Sequence, residues 1–158
     1  MDTNTFYAFT SATCFALVGL WWTVVKDRPA WFKDEAMKRM AGGIFASFLI
    51  PALMSMGAQV GGETRIIWQL AFVTAAIVGV YFSARLITTA KKVNPAGVYG
   101  RNGWTVPFLY GLVLFFALFP GVAGLIGLQP LQVEGLLLTM LVLAGHMMAW
   151  EFISTPVQ

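Results

Sequence analysis

The sequence predicts an all-α protein: a polytopic integral membrane helix bundle of five transmembrane helices with its N-terminus outside. Three observations lead there. Apolar residues make up 58% of the 158-residue chain and charged residues 11%, against about 25% charged in an ordinary soluble domain. Five apolar stretches each reach the roughly 20 residues that a bilayer-crossing helix needs. Nine of the ten Lys and Arg residues belong to one side of the resulting topology, the asymmetry that orients membrane proteins.

Mean hydropathy is +0.74. A water-facing surface of normal polarity cannot be built from such a composition, which excludes soluble globular, disordered, collagen-like and disulfide-scaffold classes. The lone Cys14 excludes an internal disulfide, a CxxC redox pair and a Cys-based zinc site. Mid-stretch among apolar neighbours, it reads as an inert thiol.

The expected spans are residues 6–25, 40–60, 66–90, 107–128 and 135–153 of a single membrane domain. The first is preceded only by Asp2 and followed by a basic cluster, which reads as an N-out anchor and not a cleaved signal. The fourth contains Pro120 and Gly121, so a re-entrant segment with four spans is the alternative to five. The runs are continuous and not alternating, which excludes a β-barrel.

The first basic loop carries Lys26, Arg28, Lys33, Lys38 and Arg39, and the second carries Lys91, Lys92 and Arg101, with Arg85 nearby. These loops are expected to be cytoplasmic, in a cell inner or plasma membrane. The opposite side holds Arg65, Asp2, Glu63 and Glu134, with Glu134 expected to be solvated at the end of the last span. The positive charge is thus a topological signal and gives no reason to expect nucleic acid. In the first loop, Asp34 with Lys38 and Glu35 with Arg39 have the spacing of helical ion pairs. Trp21, Trp22, Trp31, Phe32 and Trp104 read as an interfacial aromatic belt.

Candidate functional residues are the polar ones at membrane depth. In the second span Gly43, Ser47, Pro51, Ser55 and Gln59 recur every four residues. This is a stripe of small and polar groups, readable as the lining of a path or as a helix contact. His146 is the one histidine; it is expected to be neutral and bonded to a neighbouring helix. Arg85 is expected to reach the inner interface with its long stem, with Glu151 as the alternative partner. Ala71, Ala75, Gly79 and Ser83 form a small-residue face suited to helix packing. Ala8, Ala12, Ala16 and Gly19 form another, and Gly121, Gly124 and Gly127 a third.

Catalytic chemistry is missing from this inventory. No HExxH occurs, no two carboxylates share a membrane face, and no serine has a His–Asp partner set. A single histidine is too few for haem or a closed metal site, so no cofactor is expected, and neither is an enzyme. The sequence therefore points to an oligomeric channel or transport component. The alternative is a non-catalytic accessory or assembly subunit of a larger membrane complex. Expected partners are the lipid bilayer and either further copies of the chain or other subunits.

Overall fold

The computed structural model describes residues 2–62 and 64–154, and the described chain is helical without strands. Glu63 lies outside the described residues. The helices are α1 (Thr3–Lys26), α2 (Glu35–Gly61), α3 (Arg65–Val93), α4 (Val98–Asn102), α5 (Thr105–Leu118), α6 (Gly121–Leu125) and α7 (Pro130–Ser154), with a 3-10 turn at Pro29–Phe32. Four of them, α1, α2, α3 and α7, are long and apolar enough to cross a membrane.

Local chemistry sets the helix boundaries. Asp2 caps α1 by accepting the Thr5 N–H at 2.7 Å, a bond that also lowers its carboxyl pKa. Asp34 caps α2, accepting the N–H groups of Ala36 and Met37. The expected pairing of Asp34 with Lys38 gives way to this cap, because a carboxylate one residue before a helix finds unpaired N–H groups closer than any side chain. Glu35 does pair with Arg39, at 3.1 Å. The α2–α3 turn is tight: Gly62 has φ +47°, and a Cβ on Gly61 would sit 2.9 Å from the Trp68 backbone nitrogen. Pro130 opens α7 at the position where a missing N–H does no harm.

Helices α2, α3, α5 and α7 pack in a ring, each against the next, with α7 closing onto α2; α1 lies against α2 and α7. The two ends of the ring are chemically distinct. At one, the Tyr7 hydroxyl donates to the Leu131 carbonyl at 2.7 Å, joining the start of α1 to the start of α7. At the other, the Tyr99 N–H donates to the Glu151 carboxylate at 2.9 Å, joining the segment after α3 to the last turns of α7. The second end gathers both basic loops and is called here the basic end.

The fourth expected span, 107–128, is broken. Helix α5 stops at Leu118, Phe119 and Pro120 interrupt it, and α6 adds one short turn closed by Gly127 at φ +72°. At 1.5 Å per residue α5 alone is about 21 Å long, short of the roughly 30 Å hydrocarbon core. Gln69 of α3 compensates at the break by donating to the free Ala117 carbonyl at 2.6 Å.

The core has two parts. Toward the N-terminal end, Tyr7, Met54, Phe72, Val113 and Leu138 pack together. At the basic end Trp21, Trp31, Ile44, Phe48 and Phe152 do so. Here the belt expectation needs correcting. Trp21 and Trp31 are buried and stacked with centroids 6.1 Å apart, Trp31 lies 4.6 Å from Phe152, and the Trp21 indole donates to the Ala41 carbonyl at 2.9 Å. An indole this large stabilises more by filling a core than by resting at an interface, provided its N–H is satisfied. Trp22, Phe32 and Trp104 remain exposed.

Large apolar side chains dominate the outside. Leu125 is 84% exposed and Trp150 76%, a surface that suits lipid and would aggregate in water.

Candidate functional site

The polar stripe of α2 does not face a single neighbour. At 3.6 residues per turn, each step of four residues advances the side chain by about 40°. Over the sixteen residues from Gly43 to Gln59 the stripe therefore turns through about 160°. Its partners change accordingly. A Cβ on Gly43 would meet Leu86 of α3. Ser47 lies against Gly145 of α7, 2.7 Å from where a Cβ would stand. Gln59 reaches α1, donating to the Tyr7 carbonyl at 3.2 Å and the Ser11 hydroxyl at 3.0 Å. The stripe thus winds along the inside of the bundle from α3 to α7 to α1.

The two serines behave differently. Ser47 bonds back to the Ile44 carbonyl of its own helix at 2.7 Å. Ser55 is fully buried and its hydroxyl has no partner. A serine in a helix can bond back to a carbonyl of its own helix; of these two only Ser47 does so. Between them Pro51 lacks an N–H, so the Ser47 carbonyl loses its helical donor.

Glu134 is the residue that sequence reasoning misread. Expected in solvent, it is fully buried, and neither carboxylate oxygen has a hydrogen-bond partner. The cause is local: Tyr7 holds Leu131, three residues earlier on the same face of α7, drawing this turn against α1. A Cβ on the adjacent Gly135 would lie 2.9 Å from the Phe6 ring, so the helices meet closely at this level. Gln59 ties α2 to the Tyr7 carbonyl and the Ser11 hydroxyl of α1, and Glu134 and the Ser55 hydroxyl are the buried groups without a hydrogen-bond partner among the described residues. An acid one turn after Pro130, in the first apolar turns of a helix, was the available signal.

His146 and Arg85 are not among these residues. His146 is exposed, with Nδ1 2.8 Å from the Val142 carbonyl of its own helix and its ring edge-on to Phe48 at 5.1 Å. Its partner is its own helix turn and not a neighbouring helix, because the carbonyl four residues back is the nearest acceptor. It lines an open cleft of about 1250 Å³ at the basic end with Lys92, Asn94 and Glu151. Arg85 lies over the Tyr81 ring, 5.0 Å from its centroid, while the Glu151 carboxylate takes the Tyr99 N–H. Burial pushes the Tyr99 phenol up to about 12, so it stays neutral.

The packing faces separate in the same way. Ala71 meets Gly57 of α2, and Gly79 meets the Tyr110 ring of α5, each so closely that a Cβ on the glycine would overlap its neighbour. Ser83 bonds to the Gly79 carbonyl, and Ala75 packs at the edge of the core. Ala8, Ala12, Ala16 and Gly19 are instead exposed on α1, and Gly121, Gly124 and Gly127 have open space around them. The buried side of α1 is Tyr7, Ser11, Cys14, Trp21 and Val25.

Among the described residues no cluster of His, Cys, Asp and Glu could hold a metal ion. No family model, curated protein or solved structure matches this chain.

Proposed function

We propose that the protein is an integral membrane transport component whose path for a proton or small cation follows the winding stripe from Ser47 through Ser55 to Gln59 and Glu134. The observation that carries this reading is Glu134. An ionised carboxylate alone in an apolar interior is strongly unfavourable and takes up a proton or a cation instead. Acidic residues inside membrane segments mark ion pathways and proton relays for that reason. The unpartnered Ser55 hydroxyl and the inward-turned Gln59 extend the same polar line toward Ser47. Ser55 is closed in by its neighbours, so passage requires α2 to move against α7, and Pro51 is the point where its hydrogen-bond ladder is already open.

In this reading the chain crosses the membrane five times, with the N-terminus outside and the basic end in the cytoplasm of a cell inner or plasma membrane. The Tyr7–Leu131 and Tyr99–Glu151 bonds support the odd number of crossings, and the gathering of both basic loops at one end supports the orientation. His146 and Arg85 lie at the cytoplasmic mouth. No step of covalent catalysis is assigned to any residue. One chain of this size encloses little, and a wider path calls for several copies in a closed ring.

A second reading has its own observation. The exposed small-residue face of α1 is the kind of surface that lets another helix approach closely, and it suits an accessory or assembly subunit of a larger membrane complex. Reconstitution of the purified chain into liposomes separates the two. Proton or alkali-cation flux that falls on Glu134→Gln supports transport; an obligate partner and no flux support the subunit reading.

A further inference from the structure

A crevice of about 900 Å³ lies between α2 and α3 in the half of the bundle toward the basic end. One wall runs along α2 from Arg39 to Leu53 and the other along α3 from Thr89 to Val78. At 1.5 Å per residue the walls are about 21 and about 16 Å long. The shorter wall matches half of a hydrocarbon core roughly 30 Å thick, and the longer one continues into the headgroup layer. Tyr110 of α5 and Leu141 and Gly145 of α7 make the floor. Leu53, 51% exposed, and Phe82, 58% exposed, stand on its rim, an apolar edge that suits lipid tails.

Its polarity is one-ended. Arg39, Arg85, Thr88 and Thr89 stand at the basic end. Beyond them the walls are apolar except for Ser47 and Ser83, whose hydroxyls both bond to carbonyls of their own helices. Among the described residues no acidic one lines the crevice. Glu35 pairs with Arg39 through Nε alone, and both side chains are about two-thirds exposed. That pair is weak and leaves the other guanidinium N–H groups free to turn to a stronger acceptor. Arg85 rests on Tyr81 by a ring contact that does not use its in-plane donors.

We propose that this crevice binds one anionic phospholipid from the leaflet facing the basic end. Its phosphate lies between Arg39 and Arg85, and one acyl chain runs between α2 and α3 as far as Leu53 and Val78. Two planar guanidinium forks on separate helices suit a phosphate that accepts from both sides. A zwitterionic lipid would bring its ammonium group against the same two arginines, and the one carboxylate bonded beside them, Glu35, is exposed and already shared with Arg39. The inference stands on the crevice and does not depend on the transport reading.

Native mass spectrometry of the full chain tests it. The protein is stripped in detergent and then offered phosphatidylglycerol or phosphatidylcholine of matched chains. The wild type is expected to retain one phosphatidylglycerol per chain through detergent exchange and to release phosphatidylcholine. The Arg39→Gln/Arg85→Gln double variant should bind phosphatidylglycerol about thirtyfold more weakly, the product of two basic contacts. Ala46→Phe, which fills the wall and keeps both arginines, should also lose the lipid, and it decides the matter if the double variant does not fold. The proposal is overturned if the wild type retains no lipid or retains both equally. Unchanged phosphatidylglycerol binding in the variants, or a fatty acid or quinone seated there instead, would also overturn it.

Discussion

The Tyr7 hydroxyl donates to the Leu131 carbonyl at 2.7 Å, across 124 residues of sequence. This bond fixes the start of α7 beside the start of α1, while Glu151 at the far end of α7 meets Tyr99. Between them α5 and α6 carry the chain from the basic end back to the N-terminal end, although neither is long enough to cross a membrane by itself.

Topology is the first consequence. In a Cys14→Ala background, single cysteines at Thr64 and Gln129 are expected to react with an impermeant thiol reagent from outside, and one at Ala96 only after permeabilisation. A re-entrant fourth segment would reverse the result at Gln129.

Packing at Gly79 gives the second. The Tyr110 ring occupies the space where a Cβ would stand, so Gly79→Leu should destabilise the bundle by about 1–3 kcal/mol, the usual penalty of overpacking. Gly19 has open space around it, and Gly19→Leu should change monomer stability by no more than about 0.5 kcal/mol. Thermal unfolding in detergent measures both. A shift in assembly size for Gly19→Leu alone would mark the α1 face as the contact between copies.

The basic-end aromatic core yields the third. Trp31 is buried against Trp21 and Phe152, so Trp31→Ala should cost about 3–5 kcal/mol, as for large aromatic side chains in cores. A loss below 1 kcal/mol by the same melting assay would return Trp31 to an interfacial role.

Much of this architecture was legible in the sequence because length and apolarity determine a membrane helix almost unaided. The four long helices contain the expected stretches and extend a few residues past them, since capping by Asp2 and Asp34 occurs outside the apolar runs. Direction within the bundle was less legible. Periodicity places Ser55 and Gln59 on related faces, but which neighbour each face meets depends on how five helices pack, and a 40° drift per step is enough to change that neighbour twice. Glu134 and Trp31 were misread for a related reason. Composition alone assigns an acid or an indole near a helix end to the interface; only tertiary contacts, here Tyr7 with Leu131 and Phe152 with Trp31, draw them inside.

Cofactor content is a fourth expectation. With one histidine in the chain, a bis-histidine haem has no second ligand. The absorbance spectrum of the purified chain should show no Soret band, and one at stoichiometric intensity would overturn this expectation.

Flux through proteoliposomes tests the central claim most directly. Purified wild-type chain, correctly assembled, is expected to pass protons or an alkali cation down a gradient. Ser55→Leu should block that flux while leaving assembly size unchanged, and Glu134→Gln should reduce it at least tenfold, corresponding to about 1.4 kcal/mol or more in the barrier. Equal flux in wild type and both variants, or none in the wild type for any small ion, would contradict a path through Ser55 and Glu134.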